Sequence, residues 1–301
     1  MGYNSTVENR RLIPGDDHRH LLAGGEHEAF YFLFSAPSGR VFGFLRTLFG
    51  HDSVLELLAL RVGDRTWLHE RRATLPGDAL PGDASGPDVM LTCQAPWQAW
   101  RCSFHAPLQE VEGASVLDAH LDLAFVATNA PDVYRFGPYH QAQQDGRLSG
   151  RLQVGSDLYA GELVCYRDHS WGTRPMGAAS EWTIASAPGH FYIVVVGLGE
   201  QQTHWGRLTR PEEAPAAVRA PRVTTVNGGW RIEDLAAGME AVSVQRLAPP
   251  LLAFLGAAGR ESIRSASRPE DIYQDCIGPA LYQFPDGKQV VGFWDQARRL
   301  S

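Results

Sequence analysis

The chain has 301 residues, 44% hydrophobic and 20% charged, with a net charge of −7. That is an ordinary globular balance, long enough for one large domain or two of about 150 residues. Its arginines are scattered and Lys288 is its only lysine, which argues against a nucleic-acid footprint and against Schiff-base or phosphate-loop lysine chemistry.

Strand-like segments recur from end to end, separated by Gly, Pro and Asp. In chain order they are Glu28–Phe34, Arg40–Leu48, Leu55–Val62, Ala99–Phe104, Val116–Thr128, Gly189–Leu198, Ala241–Leu247 and Gln289–Asp295. Many short strands at this spacing predict an all-β protein of sandwiches or barrels. Helical periodicity is scarce, and Leu251–Ala258, after Pro249-Pro250, is the best short candidate. Leu75–Asp88 holds Leu-Pro-Gly-Asp-Ala twice and reads as a loop, and Pro211–Pro221 reads as a similar connector. The longest apolar run, Phe191–Leu198, is far short of the ~20 residues that cross a bilayer. Met1–Arg11 is polar and the four cysteines show no CxxC spacing. These features predict a cytoplasmic protein with free thiols, no membrane span, no disulfide scaffold and no zinc site.

The middle of the chain carries more detail. Asp145-Gly146 is a hairpin signal that would pair Gln144 with Arg147 and His140 with Arg151. Leu148, Leu152 and Val154 then share one face, and Arg147, Ser149, Arg151 and Gln153 the other. A second turn at Gly155-Ser156-Asp157 returns the chain as Leu158–Arg167, which runs straight into Asp168-His169-Ser170-Trp171-Gly172. Pro285-Asp286-Gly287-Lys288 closes another hairpin near the C-terminus.

Side chains alternate along a strand. Arg167, His169 and Trp171 therefore point one way, and Asp168 and Ser170 the other. His169 and Trp171 are expected to face the ligand space, with Asp168 orienting the turn by pairing with Arg167, Arg174 or backbone amides. The competing reading is a structural corner, a buried Asp–Arg pair with Trp171 filling the core. His18-Arg19-His20 with Glu26, His27 and Glu28 supplies metal-ligand types, but an alternating polar edge is the simpler explanation. His51-Asp52 reads as a turn. Glu181-Trp182 and His204-Trp205 each set a titratable group beside an indole. The sequence has no Gly-rich phosphate loop, Gly-x-Ser-x-Gly elbow or His-Glu-x-x-His, which removes nucleotide, serine-hydrolase and zincin mechanisms together.

His140-Gln141, Arg147–Val154 and Arg167-Asp168-His169-Ser170-Trp171-Gly172-Thr173-Arg174 resemble the carotenoid 1,2-hydratase (hydroxyneurosporene synthase) and AttH-like superfamily, about an eighth of the chain carrying the strong part. Gly278–Tyr282 through Gly292-Phe293-Trp294 resembles that family's closing hairpin. The resemblance implies two tandem lipocalin-like β-domains, placed at 1–137 and 138–301, with few short helices. It also implies cofactor-free, metal-free chemistry on a hydrophobic, unsaturated small molecule, either hydration or cyclisation in natural-product biosynthesis, by a monomer or homodimer. His169, Asp168 or Glu181 would donate the proton or hydrogen bond. Trp171, Trp182, Tyr139, His140, Arg167 and Arg174 would bind the substrate. The family's Tyr-x-Asp pair has no counterpart here, where Tyr192–Val196 is apolar. The alternative is a non-catalytic carrier of a hydrophobic ligand.

Overall fold

The computed structural model describes residues 13–75, 84–136, 138–173, 179–198, 201–209, 216–218, 220–227, 229–236, 239–256, 261–264 and 266–300. Two compact units result, one of Met1–Phe34 with Gly43–Pro175, the other of Ser35–Phe42 with Met176–Ser301. Each is almost wholly β, and the 3-10 turn Pro14–Asp17 is the one helical element among the described residues.

The first unit's strands are β1 (His27–Ser35), β2 (Val41–Phe49), β3 (Ser53–Val62), β4 (Arg65–Thr74), β5 (Val89–Ala95), β6 (Ala99–Glu110), β7 (Val116–Ala127), β8 (Asp132–Phe136), β9 (Tyr139–Val154) and β10 (Asp157–Gly172). They run β10-β1-β2-β3-β4-β6-β7-β9, and β9 pairs back onto β10. Eight strands thus close on themselves, with β5 beside β6 and β8 beside β9. Closure leaves these eight strands no free edge. At eight strands an interior is just wide enough for side chains to fill it.

Period-two patterning selects that interior. Phe30, Phe32 and Phe34 of β1 are buried in step with Glu28. Trp100, Cys102, Phe104 and Leu108 alternate inward on β6, and Ala119, Leu121, Leu123 and Phe125 on β7. Each aromatic buried this way contributes about 1.5–3 kcal/mol against leaving it in water.

The second unit's strands are β11 (Glu181–Ala187), β12 (Phe191–Leu198), β13 (Gln201–Leu208), β14 (Ala216–Ala217), β15 (Arg222–Val226), β16 (Gly229–Glu233), β17 (Val242–Arg246), β18 (Leu251–Gly256), β19 (Glu261–Ile263), β20 (Asp271–Gln283) and β21 (Gln289–Arg299). They run β14-β13-β12-β11-β21-β20-β17-β16-β15, with β18 pairing β19 and β20. Phe191, Ile193, Ile232, Tyr282 and the stacked Trp230–Trp294 pair form their core.

Three expectations need correcting. Asp145-Gly146 makes no turn: β9 runs through it, with Asp145 opposite Tyr166, Gly146 opposite Cys165 and His140 opposite Trp171. The glycine serves close approach instead, since a Cβ there would sit 2.2 Å from the Phe125 ring and 2.6 Å from the Val126 carbonyl oxygen. The described part of Leu251–Ala258 is the strand β18 rather than a helix, with Leu251, Ala253 and Phe254 buried. A short apolar run cannot by itself distinguish a buried strand from a buried helix. The boundary falls at 175/176 rather than 137/138. Strand β9 is hydrogen-bonded to β7, and β10 to β1, so residues 139–172 complete the first sheet.

Other expectations hold. The chain turns at Gly155-Ser156 into Asp157, which pairs Val154. Gln283 meets Gln289 across the Pro285–Lys288 turn. Leu148, Leu152 and Val154 are buried while Arg147, Ser149 and Arg151 are exposed. Much of the Leu75–Asp88 and Pro211–Pro221 segments lies outside the described residues.

Candidate active site

Inside the first unit, β10 presents Arg167, His169 and Trp171 on one face and Asp168 on the other, as alternation requires. The outward side chain, Asp168, accepts hydrogen bonds from Gln141 and from Gln143 at 3.3 Å, both on β9. It does not pair with Arg167, which bonds Asp17 instead, and Arg174 lies outside the described residues.

Arg167 and Asp17 are both fully buried. The Pro14–Asp17 turn carries Asp17 into the barrel, where its Oδ2 also accepts the Trp97 backbone N–H at 2.6 Å and the Trp100 indole N–H at 3.0 Å. The Arg167 guanidinium lies 4.8 Å from the Trp100 ring centroid and donates to Gln144 Oε1 at 3.0 Å. A buried charge persists only when it is paired and hydrogen-bonded, and this pair is both. Arg167 thus has a buried acid partner, but it is Asp17 and not the motif's own Asp168.

One step further along the strand, His169 is 0% exposed and stacks on Phe30, centroid to centroid 4.1 Å. Its ring lies among the buried side chains inside the eight-stranded barrel. Its Nε2 is 2.8 Å from Glu28 Oε1. Glu28 is fully buried too, and the same Oε1 lies 2.7 Å from His20 Nδ1, while Oε2 accepts the His20 backbone N–H at 2.9 Å. Glu28 is thus no polar edge. It is one carboxylate joining two imidazoles, one buried and one 26% exposed.

Protonation follows from these contacts. Burial pushes the His169 imidazole below its usual range, and the hydrogen bond it donates to Glu28 only partly offsets this. Burial alone would raise the Glu28 carboxyl, but the hydrogen bonds from His169 and His20 prevail and hold it below the usual carboxylate range. At neutral pH Glu28 is therefore the anion, and each imidazole nitrogen facing it donates an N–H. Among the described residues, His20 Nε2 has no hydrogen-bond partner. His169 keeps a buried Nδ1 without a hydrogen-bond partner, 4.0 Å from Asp17 Oδ1.

Trp171 completes the cluster. It stands opposite His140 across the β9–β10 ladder and stacks on it at 5.2 Å and 7°. It also stacks on His20 at 4.7 Å and 13°. Its neighbour Gly172 sits at φ +103°, where an added Cβ would lie 2.1 Å from the Pro138 carbonyl oxygen. Gly172 pairs with Tyr139, which is buried. The ligand atoms of His20, Glu28 and His169 all lie within 4.8 Å of one another. They are types that bind zinc or iron, but a shared hydrogen-bonding oxygen already occupies both facing nitrogens.

Glu181 and Trp182 belong to the second unit. Glu181 is exposed, and Trp182 bonds Asp295 at 3.3 Å and packs against Tyr273. His204 and Trp205 lie on β13 opposite Val195 and Val194, and His51-Asp52 lies in the bend before β3. A cavity of about 10 Å³ beside Trp230, Arg246, Cys276 and Trp294 has room for roughly one water. The cysteines are free; burial pushes the Cys93 thiol up to about 11 and holds Cys102 and Cys165 well above the ordinary thiol range. None is a ready thiolate.

Sequence reasoning missed His20, Glu28 and Asp17 as members of this site. The available signal was Glu28, a carboxylate in register with Phe30, Phe32 and Phe34 on the inward face of an aromatic strand.

Solved structures share this architecture. An AttH-like protein from Nitrosomonas europaea superposes with a TM-score of 0.67 at 12% identity, over 96% of this chain and 98% of that one. Kievitone hydratase from Nectria haematococca gives 0.60 at 8% identity, over 100% of this chain and 96% of its own. CghA bound to Sch210972 gives 0.50 at 13%, over 92% and 89%. The fold they share with this chain is lipocalin-like. No curated protein matches the chain by sequence, and no helix among the described residues is long and apolar enough to cross a membrane. The chain belongs to the family described as Domain of unknown function (DUF7064), which matches residues 14–224 and takes in the whole His20–Glu28–His169 cluster.

Proposed function

We propose that this protein is a cofactor-independent acid–base catalyst, a hydratase or cyclase acting on a hydrophobic, unsaturated small molecule such as a polyene or isoprenoid. The observation that carries the reading is the Glu28 carboxylate, which accepts from buried His169 at 2.8 Å and from partly exposed His20 at 2.7 Å. A carboxylate bonded to one imidazole nitrogen fixes the tautomer and leaves the other nitrogen to take or give a proton. His20 Nε2 is that nitrogen. His169 acts through Glu28 and is a positioning residue. Trp171 and His140 present aromatic faces beside His20, suited to an unsaturated chain and to positive charge developing on it. The likeness in fold to a hydratase and to CghA is consistent with this chemistry.

The test is to incubate the purified chain with kievitone and a panel of linear polyenes and prenylated aromatics, and to follow the products by mass spectrometry. A product heavier by water, or an isomer of equal mass, is expected. His20→Ala should lower turnover about 10²–10⁴-fold while tryptophan quenching still reports binding. Full turnover by His20→Ala would remove it from the chemistry.

One observation favours a second reading. Arg167, Asp17, Glu28 and His169 are all fully buried, as a purely structural polar core would be. The protein is then a carrier, and every ligand that binds returns unchanged.

A further inference from the structure

A second group of ligand-type side chains lies elsewhere in the first barrel: Glu56 on β3, His69 on β4 and Asp88 just before β5, with their ligand atoms all within 4.8 Å of one another. Glu56 is fully buried, and the His69 and Asp88 side chains are only 10% and 17% exposed. We infer that these three residues form a binding site for a divalent transition-metal cation of the zinc class, separate from the cluster around Glu28.

The proton accounting at His69 leads there. Its ring hydrogen-bonds the Pro107 backbone carbonyl, and its Nε2 is buried without a hydrogen-bond partner, so the bonded nitrogen is Nδ1. A carbonyl can only accept, so Nδ1 carries a proton and Nε2 is the ring nitrogen left to coordinate. It lies 3.3 Å from a carboxylate oxygen, Asp88 Oδ2, and makes no hydrogen bond to it. A cation seated between the two would bind both.

The spacing suits one. Two ligands each about 2.0–2.1 Å from a tetrahedral zinc stand about 3.3–3.4 Å apart. Each ligand is also held from behind, as metal ligands are. His69 is held by the Pro107 carbonyl and packs edge-on against Phe104 at 5.0 Å. Glu56 accepts the backbone N–H groups of Asp88 at 2.9 Å and Val89 at 2.6 Å. Asp88 is gripped by Arg71 Nη1 at 2.8 and 2.9 Å. Two carboxylates against one guanidinium leave a net negative charge for the ion. One imidazole with two carboxylates selects a zinc-like ion over calcium or magnesium, which prefer oxygen alone. Around Glu28, by contrast, both facing imidazole nitrogens are already hydrogen-bonded.

The experiment is calorimetric titration of Zn²⁺ into the full chain after EDTA treatment, with thermal melting in parallel. The wild type should take up one equivalent and melt several degrees higher; His69→Ala should bind at least tenfold more weakly and lose the shift. His20→Ala, whatever its own melting temperature, should keep the stoichiometric uptake and the zinc-induced rise. No stoichiometric uptake, equal uptake by His69→Ala, or uptake lost in His20→Ala instead would each overturn the assignment. Should His69→Ala fail to fold, ring-nitrogen NMR of the wild type decides. Zinc must move the His69 Nε2 resonance and leave those of His20 and His169 in place, and the reverse pattern refutes the site.

Discussion

The two units bury different materials. The first packs Asp17, Arg167, Glu28 and His169 among its aromatic rings. The second centres on ring against ring and branched aliphatics, with Trp230 on Trp294 at 4.0 Å and Phe191, Ile193 and Ile232 around them. A core containing charge depends on keeping every partner, since each ion is tolerable only while the other is present. An apolar core depends on volume and responds gradually to lost methyl groups. The first arrangement therefore holds ionisable groups at the cost of tolerance, and the second tolerates change more readily.

The sharpest way to break this contrast is Arg167→Met. It leaves Asp17 buried without its cation, and should cost about 3–5 kcal/mol by denaturant unfolding. Asp17→Leu combined with Arg167→Met should recover most of that loss. Equal losses in the single and double variants would show that the pair is not the unit of stability.

Acid should act next, and on the first unit. Both His169 and Glu28 titrate lower in the fold than when free, from 6.5 and 4.5 respectively. For each, the unfolded chain binds the proton first as pH falls, so stability is present above the free value and is lost through the folded one. Melting temperature should decline below pH 6.5 and more steeply below 4.5. His169→Gln, which keeps a donor for Glu28 without the titration, should flatten the upper arm. His69, lowered by burial, leaves some residual slope. An unaltered profile in His169→Gln would mean that its imidazole is not held neutral.

Ile232→Val, in the second unit's core, should cost about 0.5–1.5 kcal/mol, with a ΔΔG that does not vary between pH 5 and 8 (roughly the histidine range). Least of all, Arg147→Ala should stay within about 0.5 kcal/mol of wild type, because Arg147 and Glu162 meet on the surface at 62% and 56% exposure. A large effect there would mean that the barrel exterior carries structure too.

The all-β character was legible because alternation marks strands directly, as in β6 and β7. Asp145-Gly146 misled because turn chemistry and close approach both select glycine, and only the Phe125 ring across the ladder distinguishes them. The domain boundary shifted for a related reason: pairing partners decide which sheet a strand joins, and β9 and β10 find theirs in β7 and β1. The motif strand revealed His169 and Trp171 but not what they touch. Glu28 lies 141 residues from His169 and Asp17 lies 150 from Arg167. No local pattern encodes contacts that long. The inward register of Glu28 was readable, and it marked an acid that needed a distant partner.

The buried Asp17 and the barrel's last strand have a consequence for synthesis. A nascent chain makes Asp17 early, yet the guanidinium that neutralises it and the strand that closes the ring, β10, emerge only about 150 residues later. Until then the growing polypeptide carries an open sheet edge and an aromatic face with nothing to cover them. The ring can close only once β10 has been made. An uncovered edge and face of this kind are what neighbouring unfinished chains associate through.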